Sequence, residues 1–247
     1  MAIWAIGDLH LSFGVPGKEM SLFGDLWNDH HEKIKAFWDA NVHPDDLVLI
    51  PGDISWAMRL AEAEADLKWV DERPGTKVMI RGNHDYWWDS ASKIRKVLPP
   101  SLHIISNDAY LWNDVAIGGV RLWDTSEFRF GPFIQVSGPK PLPVETTEKL
   151  EEDDKVFQRE LSRLELSLKA MKKDASLKIV MTHYPPISAD LKDSSVSKLL
   201  ESYGIHICVF GHLHSLKKES KLFGVKNDIA YHLVSCDWLN FRLHKIA

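Results

Sequence analysis

The chain has 247 residues, 45% of them hydrophobic, and a net charge of −5, an ordinary globular composition long enough to bury a large core without staples. Its two cysteines, Cys208 and Cys236, exclude a disulfide framework and are expected to be reduced, buried thiols. The acidic balance makes nucleic acid an unlikely partner, because such binding neutralises phosphates with a basic face, and no stretch approaches the ~20 apolar residues of a membrane span.

In chain order, residues 3–6 read as a short buried strand. It runs straight into Gly7-Asp8 without the basic and apolar regions of a secretory signal, so a cytoplasmic location is expected. Apolar runs at 47–50, 78–80, 102–105, 115–117, 179–181 and 207–210 read as further buried strands. Between them, Ile34, Phe37 and Trp38 mark one helix, and Leu60, Leu67 and Val70 mark a second. Leu150, Phe157, Leu161, Leu164, Leu168 and Met171 keep helical spacing along a charged segment, and Val196, Leu199, Leu200 and Tyr203 form a short helix that Gly204 would end. The last third is strand-rich, with 221–225, 230–234 and 241–244 expected as an antiparallel meander. One region, 118–143, is irregular and rich in Pro, Gly and aromatics. Strand–helix alternation followed by strands predicts an α/β fold of two sheets packed face to face with helices outside. No repeat or linker divides the chain, which is expected to form a single domain over 1–247; nothing in it specifies an oligomeric state.

Five short motifs each begin where a predicted strand stops. They are Gly7-Asp8-Leu9-His10, Gly52-Asp53, Gly82-Asn83-His84-Asp85, Thr182-His183 and Gly211-His212-Leu213-His214. The carboxyl ends of strands in such sheets share one edge, where residues distant in sequence meet. Taken singly, a Gly-Asp after a strand is ordinarily a turn or a helix cap, and Asp-x-His could merely hydrogen-bond. The conjunction is what points to chemistry. Asp8, His10, Asp53, Asn83, His183, His212 and His214 offer carboxylate, imidazole and amide ligands without a thiolate, a set suited to Mn, Fe or Zn. These ligands are too many for one tetrahedral ion and suit two divalent ions sharing one carboxylate. In extended chain, Asp8 and His10, or His212 and His214, would point the same way.

This motif set resembles the calcineurin-like metallophosphoesterase superfamily, and its wording, including Pro51-Gly52-Asp53-Ile54-Ser55-Trp56 and Thr182-His183-Tyr184-Pro185-Pro186, is similar to a bacterial subgroup. The resemblance implies a four-layer αββα sandwich of two mixed β-sheets flanked by helices. It also implies Asp8, His10 and His214 on one metal, Asn83, His183 and His212 on the other, and Asp53 bridging both.

Two such cations lower the pKa of a bridging water, so the expected activity is phosphoester hydrolysis, of a monoester or a diester, by a metal-bridging hydroxide. His84 follows Asn83 and would point differently, toward substrate; in the resembled family the matching histidine is a general acid or a phosphate donor. Asp85 is expected to fix the His84 tautomer or to cap a turn, and with His84 and Asp53 completes the catalytic candidates. The acidic charge and the lack of a peptide-docking appendage favour a small-molecule or nucleotide-type phosphoester over a nucleic acid. The alternatives are a serine/threonine protein phosphatase and a non-catalytic metal-binding scaffold of the same fold. Aromatics and arginines at 118–143, among them Arg121, Trp123 and Arg129, are expected either to pack the loop or to contact the leaving group.

Overall fold

A computed structural model describes residues 1–135, 146–220 and 222–247. Strand β2 (Leu47–Ile50) is buried at every residue, as an unbroken Leu-Val-Leu-Ile run requires when both faces of a parallel strand are covered. It lies between β1 (Ile3–Ala5) and β3 (Thr76–Met79), and β4 (Leu102–Ile104) continues the parallel sheet beyond β3. The second sheet is built from β5 (Tyr110–Trp112), β6 (Val115–Val120), β7 (Leu177–Thr182), β8 (Ile207–Phe210), β9 (Gly224–Lys226) and β10 (Ile229–Leu233). Its order is β5-β6-β7-β8-β10-β9, parallel in the middle and antiparallel at both edges.

Three apolar layers follow from strand alternation. Ile3, Ala5, Leu47, Leu49, Val78 and Ile80 of the first sheet meet Ile117, Ile179, Met181, Ile207 and Val209 of the second. Val48, Ile50 and Met79 face the other way, onto α1 (His30–Asn41), α2 (Leu60–Asp71) and α3 (Ala91–Val97) through Ile34, Trp38, Leu67, Val70 and Ile94. On the far side, Ala116, Val180, Cys208 and Phe210 pack under α4 (Thr147–Ala170) and α5 (Ser195–Ser202) through Phe157, Leu164, Leu168, Val196 and Leu200. Each fully buried Val, Leu, Ile, Phe or Met among them contributes about 1.5–3 kcal/mol. The result is the helix–sheet–sheet–helix order expected.

Three details differ from the sequence reading. The C-terminal strands do not form a meander: β10 runs parallel to β8, only β9 pairs with it antiparallel, and the last strand, β11 (His244–Lys245), crosses to the first sheet beside β1. Helix α3 and edge strand β5 were not anticipated, being short and weakly periodic. In the aromatic-rich region, 118–120 belong to β6 and Gly131–Phe133 form a 3-10 turn, while 136–143 lie outside the described residues, as does Lys221.

Among the described residues no helix is long and apolar enough to cross a membrane.

Candidate metal centre

The ends of β1, β2, β3, β7 and β8 open on one edge of the two sheets, and the five motifs follow them there. The turns are tight. Asp8, His10, Asp53 and His212 sit in the left-handed region, with φ of 58°, 46°, 54° and 71°. The extended-chain expectation for Asp-x-His and His-x-His therefore fails. These side chains converge because the backbone is folded back on itself, at a cost of about 1–3 kcal/mol per residue that surrounding contacts must offset. The motif glycines have a matching reason: a Cβ on Gly82 would collide with the Asp53 carboxylate, and one on Gly211 with that of Asp8.

Two groups of side chains meet. In the first, His10 Nε2 lies 3.3 Å from His214 Nε2, and His214 Nε2 lies 3.6 Å from Asp8 Oδ1. In the second, His183 Nε2 and His212 Nδ1 lie 2.6 and 3.0 Å from Asn83 Oδ1. Asp53 Oδ2 lies between the groups, 3.8 Å from His10 Nε2 and 3.5 Å from His183 Nε2. Asp8 also falls within the reach of both, 4.0 Å from His183 Nδ1. That nitrogen is already committed, donating to Pro51 O at 2.9 Å.

The commitment of Nδ1 decides the chemistry of this corner. A neutral His183 then presents a lone pair on Nε2, facing the lone pairs of Asn83 Oδ1 and Asp53 Oδ2. Burial drives the His183 pKa down to about 3, so His183 carries no second proton that would relieve the crowding. Asp53 Oδ2 is itself buried with no hydrogen-bond partner among the described residues. Three electron-pair donors directed at one point form an arrangement that a cation satisfies.

Charge in the other group runs the same way. Burial, with Asp53 nearby, pushes Asp8 up to about 7 despite the opposing pull of His214. Burial also raises Asp53 and holds His10 and His212 well below the usual histidine range. For His214 burial opposes charge, but the Asp237 hydrogen bond and the carboxylates of Asp8, Asp237 and Asp53 outweigh it, giving about 9. The carboxylates thus draw positive charge to this spot. The residues fit divalent cations: the imidazoles of His10, His183 and His212 are held neutral by burial, His214 sits where the carboxylates draw positive charge, and no thiolate is present.

A family model for calcineurin-like phosphoesterases matches residues 1–216. The chain belongs to the calcineurin-like phosphoesterase family. This family binds divalent metals and acts on phosphoesters, and residues 1–216 form its domain. The gene 66 protein of Mycobacterium phage D29 is 36% identical over 83 residues, covering 34% of this chain and 40% of the phage protein. That of phage L5 is 37% identical over 82 residues, covering 33% and 39%. The matched part spans about two fifths of these relatives' length. Among solved structures, the phosphopantetheinyl hydrolase of Mycobacterium tuberculosis aligns over 99% of this chain and 95% of its own, at 14% identity and a TM-score of 0.55. The TT1561 protein of Thermus thermophilus aligns over 99% and 97%, at 13% identity and a TM-score of 0.56. At such identities the likeness is one of fold.

The remaining candidates separate clearly. His84 is half-buried at the rim, its ring 4.5 Å from Trp56 and 5.8 Å from His10, and its amide donates to Asp53 Oδ1 at 2.8 Å. Its Nδ1 has no partner among the described residues. Asp85 therefore does not fix the His84 tautomer. It is fully buried, and its oxygens accept from the amides of Asp53, Ile54, Ser55 and Gly82 at 2.7–3.2 Å and from Trp87 Nε1 at 2.9 Å. Burial and the Asp53 charge push its pKa up to about 6 against the pull of the Gly82, Ser55 and Trp87 donors, and its two oxygens pin two ligand loops together. The physical reason for the correction is simple. Four backbone amides left unpaired by the turns and the Trp87 indole take up both Asp85 oxygens, so none is left for the half-buried imidazole.

Two contributors were missed by sequence reading. Asp237, which follows β10, holds His214 through Nδ1 at 2.9 Å and accepts from Ser215 N at 3.0 Å. Its position just past another strand end was the available signal. Trp56, inside a quoted motif, stacks on His10 at 5.0 Å.

A cavity of about 520 Å³ opens beside His212 and Tyr184, with Trp123, Phe128, Arg129 and Phe130 in its wall. The Tyr184 ring lies tilted against that of His212, 3.9 Å between ring centres, and Trp123 Nε1 donates to Asp153 at 2.8 Å. Arg121 faces a different, smaller cavity.

Proposed function

We propose that the chain hydrolyses phosphoesters with two divalent cations, Mn, Fe or Zn, held in one centre. Asp8, His10 and His214 hold one, Asn83, His183 and His212 hold the other, and Asp53 serves both. The whole chain, 1–247, acts as one domain. The observation that carries this reading is the convergence of His183 Nε2, Asn83 Oδ1 and the unpartnered Asp53 Oδ2 while His183 Nδ1 is committed to Pro51 O. Asp53 is favoured over Asp8 as the shared ligand because Asp53 Oδ2 is unpartnered and faces a ring nitrogen of each group, whereas both Asp8 oxygens accept from the His212 amide.

When bound, such a pair supplies an activated water and Lewis acidity at the phosphoryl oxygens. The protein supplies the rest. Pro51 O and Asp237 fix the tautomers of His183 and His214, so that Nε2 of each ring faces inward. Asp85 fixes the loops that carry Asp53 and Asn83. His84, oriented by Trp56, donates a proton to the leaving oxygen. The cavity beside Tyr184 takes the leaving group, and its aromatic wall suits a flat or apolar one, as in a nucleotide-type small molecule. A paired assay of an aryl phosphomonoester and a bis-aryl phosphodiester against Mn, Fe, Zn, Ni and Mg tests the reading. Turnover that needs added metal and is abolished by chelation supports it, while metal-independent turnover, or none with any of them, overturns it.

A further inference from the structure

A second cavity opens at the same edge of the two sheets as the metal centre. It lies one strand over, past the ends of β3, β4 and β6, is smaller, at about 200 Å³, and is lined by Arg81, Trp88, Ser106, Asn107, Arg121 and Arg163. Arg81 directly precedes Gly82-Asn83, and the Arg121 carbonyl accepts from the amides of His183 and Tyr184, so both arginines are anchored to the ligand loops.

Their side chains are poorly satisfied. Arg81 makes no hydrogen bond or ion pair through its guanidinium among the described residues, and its Nε is buried without a partner. The Nε of Arg121 is also buried and unpartnered; Arg121 reaches Glu160 only at 3.6 Å and otherwise lies on the Trp123 ring at 4.5 Å. Glu160, buried itself, is shared with Arg163 at 2.7 Å and Arg159 at 3.9 Å. The other carboxylate in the wall, Asp89, is exposed and already paired with Lys93 at 2.9 Å. One buried carboxylate thus faces several guanidiniums. An arginine left with buried, unused donors beside another cation is a costly arrangement unless an oxyanion completes it.

We infer that Arg81 and Arg121 form a subsite for a second phosphate on the substrate, next to the phosphate that is hydrolysed. This rests on the reading of the centre given under the proposed function and narrows its substrate class. Adjacent strands are ~4.8 Å apart, which places the two phosphates on the order of 5–10 Å from each other. Small molecules carrying phosphates on neighbouring carbons, or on both sides of one sugar ring, meet that spacing. The Arg121 guanidinium lies on the same Trp123 ring that lines the leaving-group cavity, so one wall serves the body of the molecule and its second charge.

The test compares a nucleoside 3′,5′-bisphosphate with the matching nucleoside 5′-monophosphate on the metal-loaded full chain, in wild type and in Arg81→Gln. Wild type should favour the bisphosphate by about 10- to 100-fold in kcat/KM, the range of one or two charge-assisted hydrogen bonds. Arg81→Gln should bring that ratio near one, chiefly through KM, and Arg121→Lys should keep part of it. A ratio of one in wild type, or one unchanged by Arg81→Gln, overturns the assignment. A second readout needs no turnover: sulfate should raise the Tm of wild type more than that of Arg81→Gln. If neither nucleotide is hydrolysed but the sulfate difference persists, the anion subsite stands and the reading of the catalytic centre fails. Equal sulfate stabilisation of both proteins removes the subsite itself. A sulfate difference with a substrate ratio of one would make the pocket a site for a free anion and overturn the link to substrate.

Discussion

Asp237 Oδ1 accepts a hydrogen bond from His214 Nδ1 at 2.9 Å and thereby turns the other ring nitrogen, Nε2, toward Asp8 and His10. The second oxygen of Asp237 accepts from the Ser215 amide, so the carboxylate is fixed at both ends. Such partners of a metal-binding imidazole are worth about 10- to 100-fold in metal affinity. Asp237→Asn should therefore weaken Mn binding by about that factor while the protein stays folded. Metal titration followed by calorimetry checks it; unchanged affinity would leave Asp237 a structural group only.

Asp85 makes a prediction about stability. Asp85→Ala leaves four loop amides and the Trp87 indole without their acceptor in a buried place, at a cost on the order of 3–5 kcal/mol. Chemical denaturation should show the loss, and metal content should fall with it because the loops of Asp53 and Asn83 are no longer pinned. A variant as stable as wild type would mean that the loops find other acceptors.

His84 should behave in the opposite way. His84→Ala should retain metal and lose about 10²–10⁴ in kcat on an alkyl phosphoester, with a smaller loss on a nitrophenyl ester whose leaving group needs little protonation. Equal losses on the two esters would rule out proton donation and leave phosphate binding as the role of His84.

Phe128 lines the leaving-group cavity and packs edge-on against Phe130 at 5.4 Å. Phe128→Ala should raise KM about tenfold for a nucleotide-sized substrate, in line with the loss of one apolar contact surface, and leave KM for methyl phosphate unchanged. A similar rise on both esters would indicate a distorted centre rather than a lost contact.

Much of this architecture was legible because parallel strands buried on both faces must be continuous apolar runs, and Leu47, Val48, Leu49 and Ile50 form such a run. The ligand candidates were legible as polar residues at strand ends. What stayed hidden was set by tertiary contact. The left-handed backbones at Asp8, His10, Asp53 and His212 have no local signature, since none of these residues is glycine. Asp237 follows Ser235-Cys236 and lacks the histidine or glycine that marked the other motifs; only the fold brings it to His214. Asp85 was visible, but its true partners are amides of a loop some thirty residues earlier. Short β11 pairs with β1, the other end of the chain, which no pattern in two residues could announce.

The central claim is that one carboxylate, Asp53, serves two cations. The most direct measurement strips the full chain with EDTA and titrates Mn back while counting bound ions and following turnover of an aryl phosphoester, in wild type and in Asp53→Asn. Wild type should bind two ions per chain, with activity returning only as the second is filled. Asp53→Asn should lose ion occupancy and turnover together. A single ion per chain at full wild-type activity, or an Asp53→Asn protein holding two tight ions with near-normal turnover, would contradict the account.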